Sequence, residues 1–123
     1  RNPDDWMIRE QYADLLAESG AADLALKEYR IVLERVPENH LVWTKAANVC
    51  IKIGLLNEAE MFFRKSLAID DETPLAYYRL AEVLAMKGKK KAGLAIFTQR
   101  LRVDPHRAEV LTYLGNFTLV LGE

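Results

Sequence analysis

Residues 40–73 read HLVWTKAANVCIKIGLLNEAEMFFRKSLAIDDET, and their Gly54 has counterparts at Gly20, Gly88 and Gly122, each 34 residues from the next without insertion or deletion. Glycine occupies only 6 of 123 positions. Three further hits at one fixed spacing then have a chance probability on the order of one in ten thousand, which makes the period an internal repeat. With the glycine at position 15, the units run 6–39, 40–73 and 74–107, a further one occupies 108–123, and 1–5 is the tail of a preceding unit. Small residues recur at position 8 (Ala13, Ala47, Ala81, Gly115) and position 20 (Ala25, Ala59, Gly93). Such residues are needed where two helices approach closely. Large ones recur at position 24 (Tyr29, Phe63, Phe97) and position 28 (Leu33, Leu67, Leu101), while position 32 reads Pro3, Pro37, Asp71 and Pro105.

Within the second unit, Val42, Ala46, Val49 and Cys50 form one apolar stripe at helical spacing. Each unit therefore predicts two antiparallel helices, roughly positions 1–14 and 17–30, the first ended by glycine in the left-handed conformation that it alone adopts cheaply. Asp5, Asn39 and Thr73 are candidate N-caps, with Pro74 at the first helical position behind Thr73. The expectation is an all-α chain of about seven helices.

Small residues at 8 and 20, an aromatic at 24 and proline at 32 within this period resemble the tetratricopeptide repeat. The resemblance covers nearly the whole chain. It is fullest in the second unit (Trp43, Ala47, Gly54, Ala59, Phe63, Leu67) and the third (Tyr77, Leu80, Ala81, Leu84, Gly88, Phe97, Pro105). A pentatricopeptide array, whose period is one residue longer, would be out of register by the third unit. The chain departs from the pattern at Arg9, where position 4 takes a large apolar residue, at Cys50 and Thr118, where position 11 takes an aromatic, and at Arg100, where position 27 takes a small residue. The resemblance implies a right-handed α-solenoid of antiparallel helix pairs, its concave face lined by the first helix of each unit.

It also implies a non-catalytic scaffold that binds a protein or peptide through that groove. Carried over position by position, the lining begins acidic, with Met7, Glu10, Gln11, Asp14, Ala17 and Glu18. The second unit adds Lys45, Asn48 and Lys52, beside Leu41, Thr44 and Ile51. The third adds Tyr78, Arg79, Glu82 and Met86, beside Leu75 and Ala85; the last helix adds Tyr113 and Asn116, beside Glu109, Thr112, Leu119 and Val120. Tyr78, Arg79 and Tyr113 are the expected hot spots, since Tyr and Arg dominate interface energetics. The co-chaperone subclass clamps a C-terminal carboxylate with Lys and Asn at positions 5 and 9, Asn at 6 of the next unit, then Lys and Arg at 2 and 6. Here those places hold Glu10, Asp14, Lys45, Leu75 and Arg79, and two carboxylates would repel such a tail. One unit later they hold Thr44, Asn48, Arg79, Glu109 and Tyr113, again with a single match.

The net charge of −1 gives no reason to expect nucleic acid, yet the charge is uneven. Residues 1–39 carry 5 basic and 9 acidic side chains, 40–73 carry 4 and 5, and 74–107 carry 8 and 2. Lys87, Lys89, Lys90 and Lys91 crowd the turn at Gly88, where the other units place Asp23 or Asn57 and Glu58. Cations there oppose the dipole of the following helix. They suggest an alternative function, a scaffold contacting an anionic partner or polymer, as in bacterial polysaccharide-secretion proteins; the competing reading is a solvated turn.

Catalytic, metal and cofactor sites are not expected. His40 and His106 have no acid or cysteine at ligand or triad spacing, Asp70, Asp71 and Glu72 read as a solvated turn, and Asn116-Phe117-Thr118 falls inside a helix rather than at a glycosylation loop. A lone Cys50 excludes an internal disulfide and fits cytoplasm or periplasm alike. No apolar run reaches membrane-span length. The last helix is apolar on nearly every side, so its face of Leu111, Leu114 and Thr118 is expected either to receive a further helix of a longer array or to self-associate.

Overall fold

The computed structural model describes residues 5–103 and 107–121 of the chain. Among these are seven helices and no strand: α1 Asp5–Glu18, α2 Ala22–Arg35, α3 His40–Ile53, α4 Leu56–Ile69, α5 Pro74–Met86, α6 Lys90–Leu101 and α7 Arg107–Leu121. Each helix packs on its neighbours in sequence, and α5 packs in addition on α7. The result is a right-handed solenoid of antiparallel pairs. Gly122, Pro3, Pro105 and His106 lie outside the described residues.

The glycine turns are built alike. Gly20, Gly54 and Gly88 have φ of 90°, 95° and 83°, a region that a Cβ makes costly. In each turn the residue after the glycine donates its N–H to the carbonyl five residues back: Ala21 to Leu16 at 2.8 Å, Leu55 to Cys50 at 2.9 Å and Lys89 to Leu84 at 2.8 Å. Each glycine also donates three residues back, to Ala17, Ile51 and Ala85 respectively. This is the Schellman motif in three copies, and it satisfies the carbonyls that a helix end leaves open.

The helix starts are less uniform than expected. Asn39 caps α3 through its side chain, which accepts from the Val42 N–H at 3.3 Å. Thr73 makes no such bond, because its own backbone carbonyl takes the Ala76 N–H at 3.0 Å. Asp5 is already the first residue of α1 rather than its cap. At the other end of the chain α6 stops at Leu101, and its last turn tightens into three-residue bonds, Arg102 to Gln99 and Val103 to Arg100.

The core follows the repeat. Ala13, Ala25, Ala47, Ala59 and Ala81 are fully buried, as are the position-24 rings Phe63 and Phe97, with Tyr29 nearly so. Gly93 marks the tightest crossing: a Cβ there would meet the Ala81 carbonyl oxygen and Phe117 Cζ at 2.9 Å each. Gly115 differs from the small residues it aligns with. A Cβ there would meet nothing within 4 Å among the described residues.

The buried residues fall into two clusters. The larger runs from Ala13 to Leu84 and ends on the Leu80, Val83 and Leu84 side of α5. The smaller comprises Ala81, Phe97, Val110 and Phe117, with Tyr78 and Tyr113 packed against it. Helix α5 is therefore a wall shared by both.

Candidate functional site

The residues expected in the groove lie on α1, α3, α5 and α7, the first helices of successive units. Met7, Leu41, Leu75, Met86 and Leu119 of these helices are exposed. Asn48, Lys52 and Asn116 are also exposed.

The acidic start of the groove is internally paired. Lys45 Nζ on α3 lies 2.7 Å from Glu10 Oε2 and 3.1 Å from Asp14 Oδ2 on α1. Asp14 also accepts from the Tyr29 hydroxyl at 2.5 Å. Burial opposes the charge on Lys45, but the two carboxylates outweigh it and hold its ammonium above the ordinary lysine range. For Tyr29, burial and then Asp14 push ionisation far above the usual phenol range, so the hydroxyl stays a donor. Sequence reasoning placed these residues in the lining but did not pair them. The signal was in the spacing: Lys45 stands 35 residues from Glu10 and 31 from Asp14, either side of one repeat length.

Tyr78, Arg79 and Tyr113 do come together. The Tyr78 and Tyr113 rings lie 5.2 Å apart at 31°, and the Arg79 guanidinium sits 5.8 Å from the Tyr78 centroid. Phe97 supports Tyr78 from the core at 6.4 Å, and Phe97 in turn packs on Phe117 at 5.4 Å. Arg79 is oriented by Glu82 at 2.8 Å. Burial and the neighbouring Glu82 raise the Tyr78 phenol above its usual range, so this surface offers a neutral hydroxyl beside a fixed cation.

The lysine cluster is not one unit. Lys87 turns away to an ion pair with Glu60 Oε1 of α4 at 2.6 Å and is largely buried, so it is removed from the expected set of free charges. A hydrogen bond that repays partial burial holds it there, and Arg64 reaches the same carboxylate at 3.0 Å. The Lys87 hydrogen bond, more than Arg64, keeps Glu60 below the ordinary carboxylate range. Lys89, Lys90 and Lys91 remain exposed, and among the described residues they form no ion pair.

The other departures from the repeat pattern also have local partners. Arg9 pairs with Glu28 at 2.6 Å. Arg100 donates to the Asp71 carbonyl at 3.0 Å and lies 4.5 Å from the Tyr77 centroid, filling the space that a small residue would leave. His40 Nε2 stands 3.3 Å from Asp70 Oδ2. On α7, Val110 and Phe117 are buried, whereas Leu111 and Leu119 are exposed; Leu114, expected on the open face, is half-buried against the smaller cluster, and Thr118 bonds back to the Gly115 carbonyl. No helix among the described residues is long and apolar enough to cross a membrane.

Paired antiparallel helices repeated in register define the class: an α-solenoid repeat protein. Within that class the chain shares its fold with solved tetratricopeptide-repeat structures. It is similar to the MamA protein (25% identity, TM-score 0.78), covering 98% of this chain and 66% of that one, so it spans about two thirds of the MamA chain. The first TPR of Spaghetti (RPAP3), solved bound to the HSP90 peptide SRMEEVD, matches at 16% identity and TM-score 0.79, covering 99% of this chain and 97% of that one. The second TPR domain of human RPAP3, in complex with the HSP70 peptide SGPTIEEVD, matches at 20% identity and TM-score 0.78, covering 95% and 98%. No family model and no curated protein matches the sequence.

Proposed function

We propose that this chain is a non-catalytic protein-interaction scaffold that holds an extended segment of a partner along its first-helix groove, anchored at Tyr78, Arg79 and Tyr113. The observation that carries the reading is the Tyr78–Tyr113 contact with Arg79 beside it, a half-buried aromatic pair and cation on the groove face. Such groups give large contact area for little lost side-chain entropy. The peptide-bound structures of similar fold support a peptide segment as the kind of ligand. The ligand chemistry differs, however, because the positions that a carboxylate clamp needs hold Glu10 and Asp14, both tied to Lys45. A partner ending in acidic residues is therefore disfavoured here.

Display of random peptides against the immobilised chain tests this. Wild type should enrich a consensus that the Tyr78→Ala, Arg79→Ala double variant does not. Enrichment that survives in the double variant, or no consensus at all, counts against the groove. The exposed lysines of the α5–α6 turn belong to the second-helix side, so contact with an anionic partner concerns a separate surface.

A further inference from the structure

The outer sides of α4 and α6 combine positive charge with apolar gaps. Helix α6 reads KKAGLAIFTQRL and contains no acid. Lys91 and Arg102 bracket Leu94, Ala95 and Thr98 along an open cleft of about 550 Å³. On α4, Arg64, Lys65, Met61 and Ala68 line another of about 470 Å³, closed on one side by Lys87. A third cleft between the helices shares Arg64 and Ala68 with the second and Gln99 with the first, so the three form one strip. Its carboxylates are already engaged: Glu60 by Lys87 and Arg64, Asp71 by Arg100. Lys65, Lys91 and Arg102 make no ion pair among the described residues, leaving the strip strongly cationic.

We infer that this strip is a second docking surface, for an acidic protein segment whose carboxylates are interspersed with apolar side chains. Charge complementarity selects the acidic partner. The apolar clefts select its type, because a purely polar anionic chain would leave Met61, exposed at 48%, and the Leu94 cleft uncovered. Single-stranded nucleic acid needs rings for its bases to stack on, and the rings of these two helices, Phe62, Phe63 and Phe97, are all buried. The surface lies on the second helices and operates independently of the groove.

Fluorescence anisotropy with a labelled synthetic peptide of Asp and Glu interspersed with Leu tests the inference on the full chain. Polyglutamate, phosphatidylserine vesicles and a single-stranded oligonucleotide serve as comparison probes. The Asp/Glu/Leu peptide should bind best, and its affinity should fall with added salt. The Lys65→Gln, Lys91→Gln, Arg102→Gln triple variant should lose about tenfold or more of it. Ala68→Glu, an exposed change in the middle of the strip, should weaken binding without altering the fold, and Tyr78→Ala, Arg79→Ala should leave it unchanged. Absence of binding, indifference to the triple variant and to Ala68→Glu, loss in the groove variant, or equal or tighter binding of any comparison probe would each overturn it.

Discussion

Lys45 on α3 reaches across a repeat boundary to Glu10 on α1, at 2.7 Å, and joins the two first helices with an ion pair. The same ammonium serves Asp14, which holds the Tyr29 hydroxyl. One cation thus ties the first two units together on their first-helix face. Its value is discounted for solvent, since about a third of the Lys45 side chain is exposed.

Replacing Lys45 by Met should therefore destabilise the chain by about 1 kcal/mol at neutral pH. The folded-state pKa of Lys45 is raised, so its contribution is complete below the ordinary lysine pKa and is lost as pH rises through the higher folded value. Urea unfolding of wild type and Lys45→Met across alkaline pH should show the two curves converging. A difference that stays constant would mean the loss is one of packing, not charge.

Glu60 gives the opposite dependence. Its folded pKa is depressed by Lys87 and Arg64, so its stabilisation is present above the ordinary carboxylate pKa of about 4.3 and disappears as pH falls through the lower folded value. Glu60→Gln should cost on the order of 1 kcal/mol at pH 7 and almost nothing in strong acid. Thermal melts over that range check the sign directly.

Two glycines should respond to alanine in opposite directions. Gly93→Ala forces a methyl against the Ala81 carbonyl oxygen and Phe117, and is expected to destabilise by about 1–3 kcal/mol. Gly115→Ala places a methyl in open space inside a helix and should stabilise by about 0.5–1 kcal/mol through backbone entropy. Denaturant midpoints of the two variants on either side of wild type are the expected result.

Cys50 is fully buried, and burial pushes its thiol up to about 11. The native chain should resist a maleimide reagent at mildly alkaline pH and react only on unfolding, since the thiolate is the nucleophile. Rapid labelling without loss of helical signal would show that the core opens locally at α3.

The helices were legible because the period is exact: Gly20, Gly54 and Gly88 fix the turns, and the small and large residues at fixed offsets fix the faces. Tyr78 and Tyr113 were singled out as residues of adjoining first helices, but their ring contact was not read from the sequence. What the repeat does not encode is pairing at a separation far from a whole repeat length. Lys87 counted as a free charge by its neighbours in sequence, whereas its partner Glu60 lies 27 residues away on α4, a separation unrelated to the period.

The divided core makes the solenoid mechanically uneven. Five helices share one continuous buried cluster, which α6 reaches only through the partly buried Ile96, whereas Ala81, Phe97, Val110 and Phe117 fasten α6 and α7 to α5. A stretching force applied between the ends is expected to yield first at that smaller seam, visible in single-molecule pulling as an early, low-force step. Tyr78 and Tyr113 straddle the seam. A ligand gripping both rings would act as a clasp across the weakest joint, so tension along the array and occupancy of the groove would oppose each other.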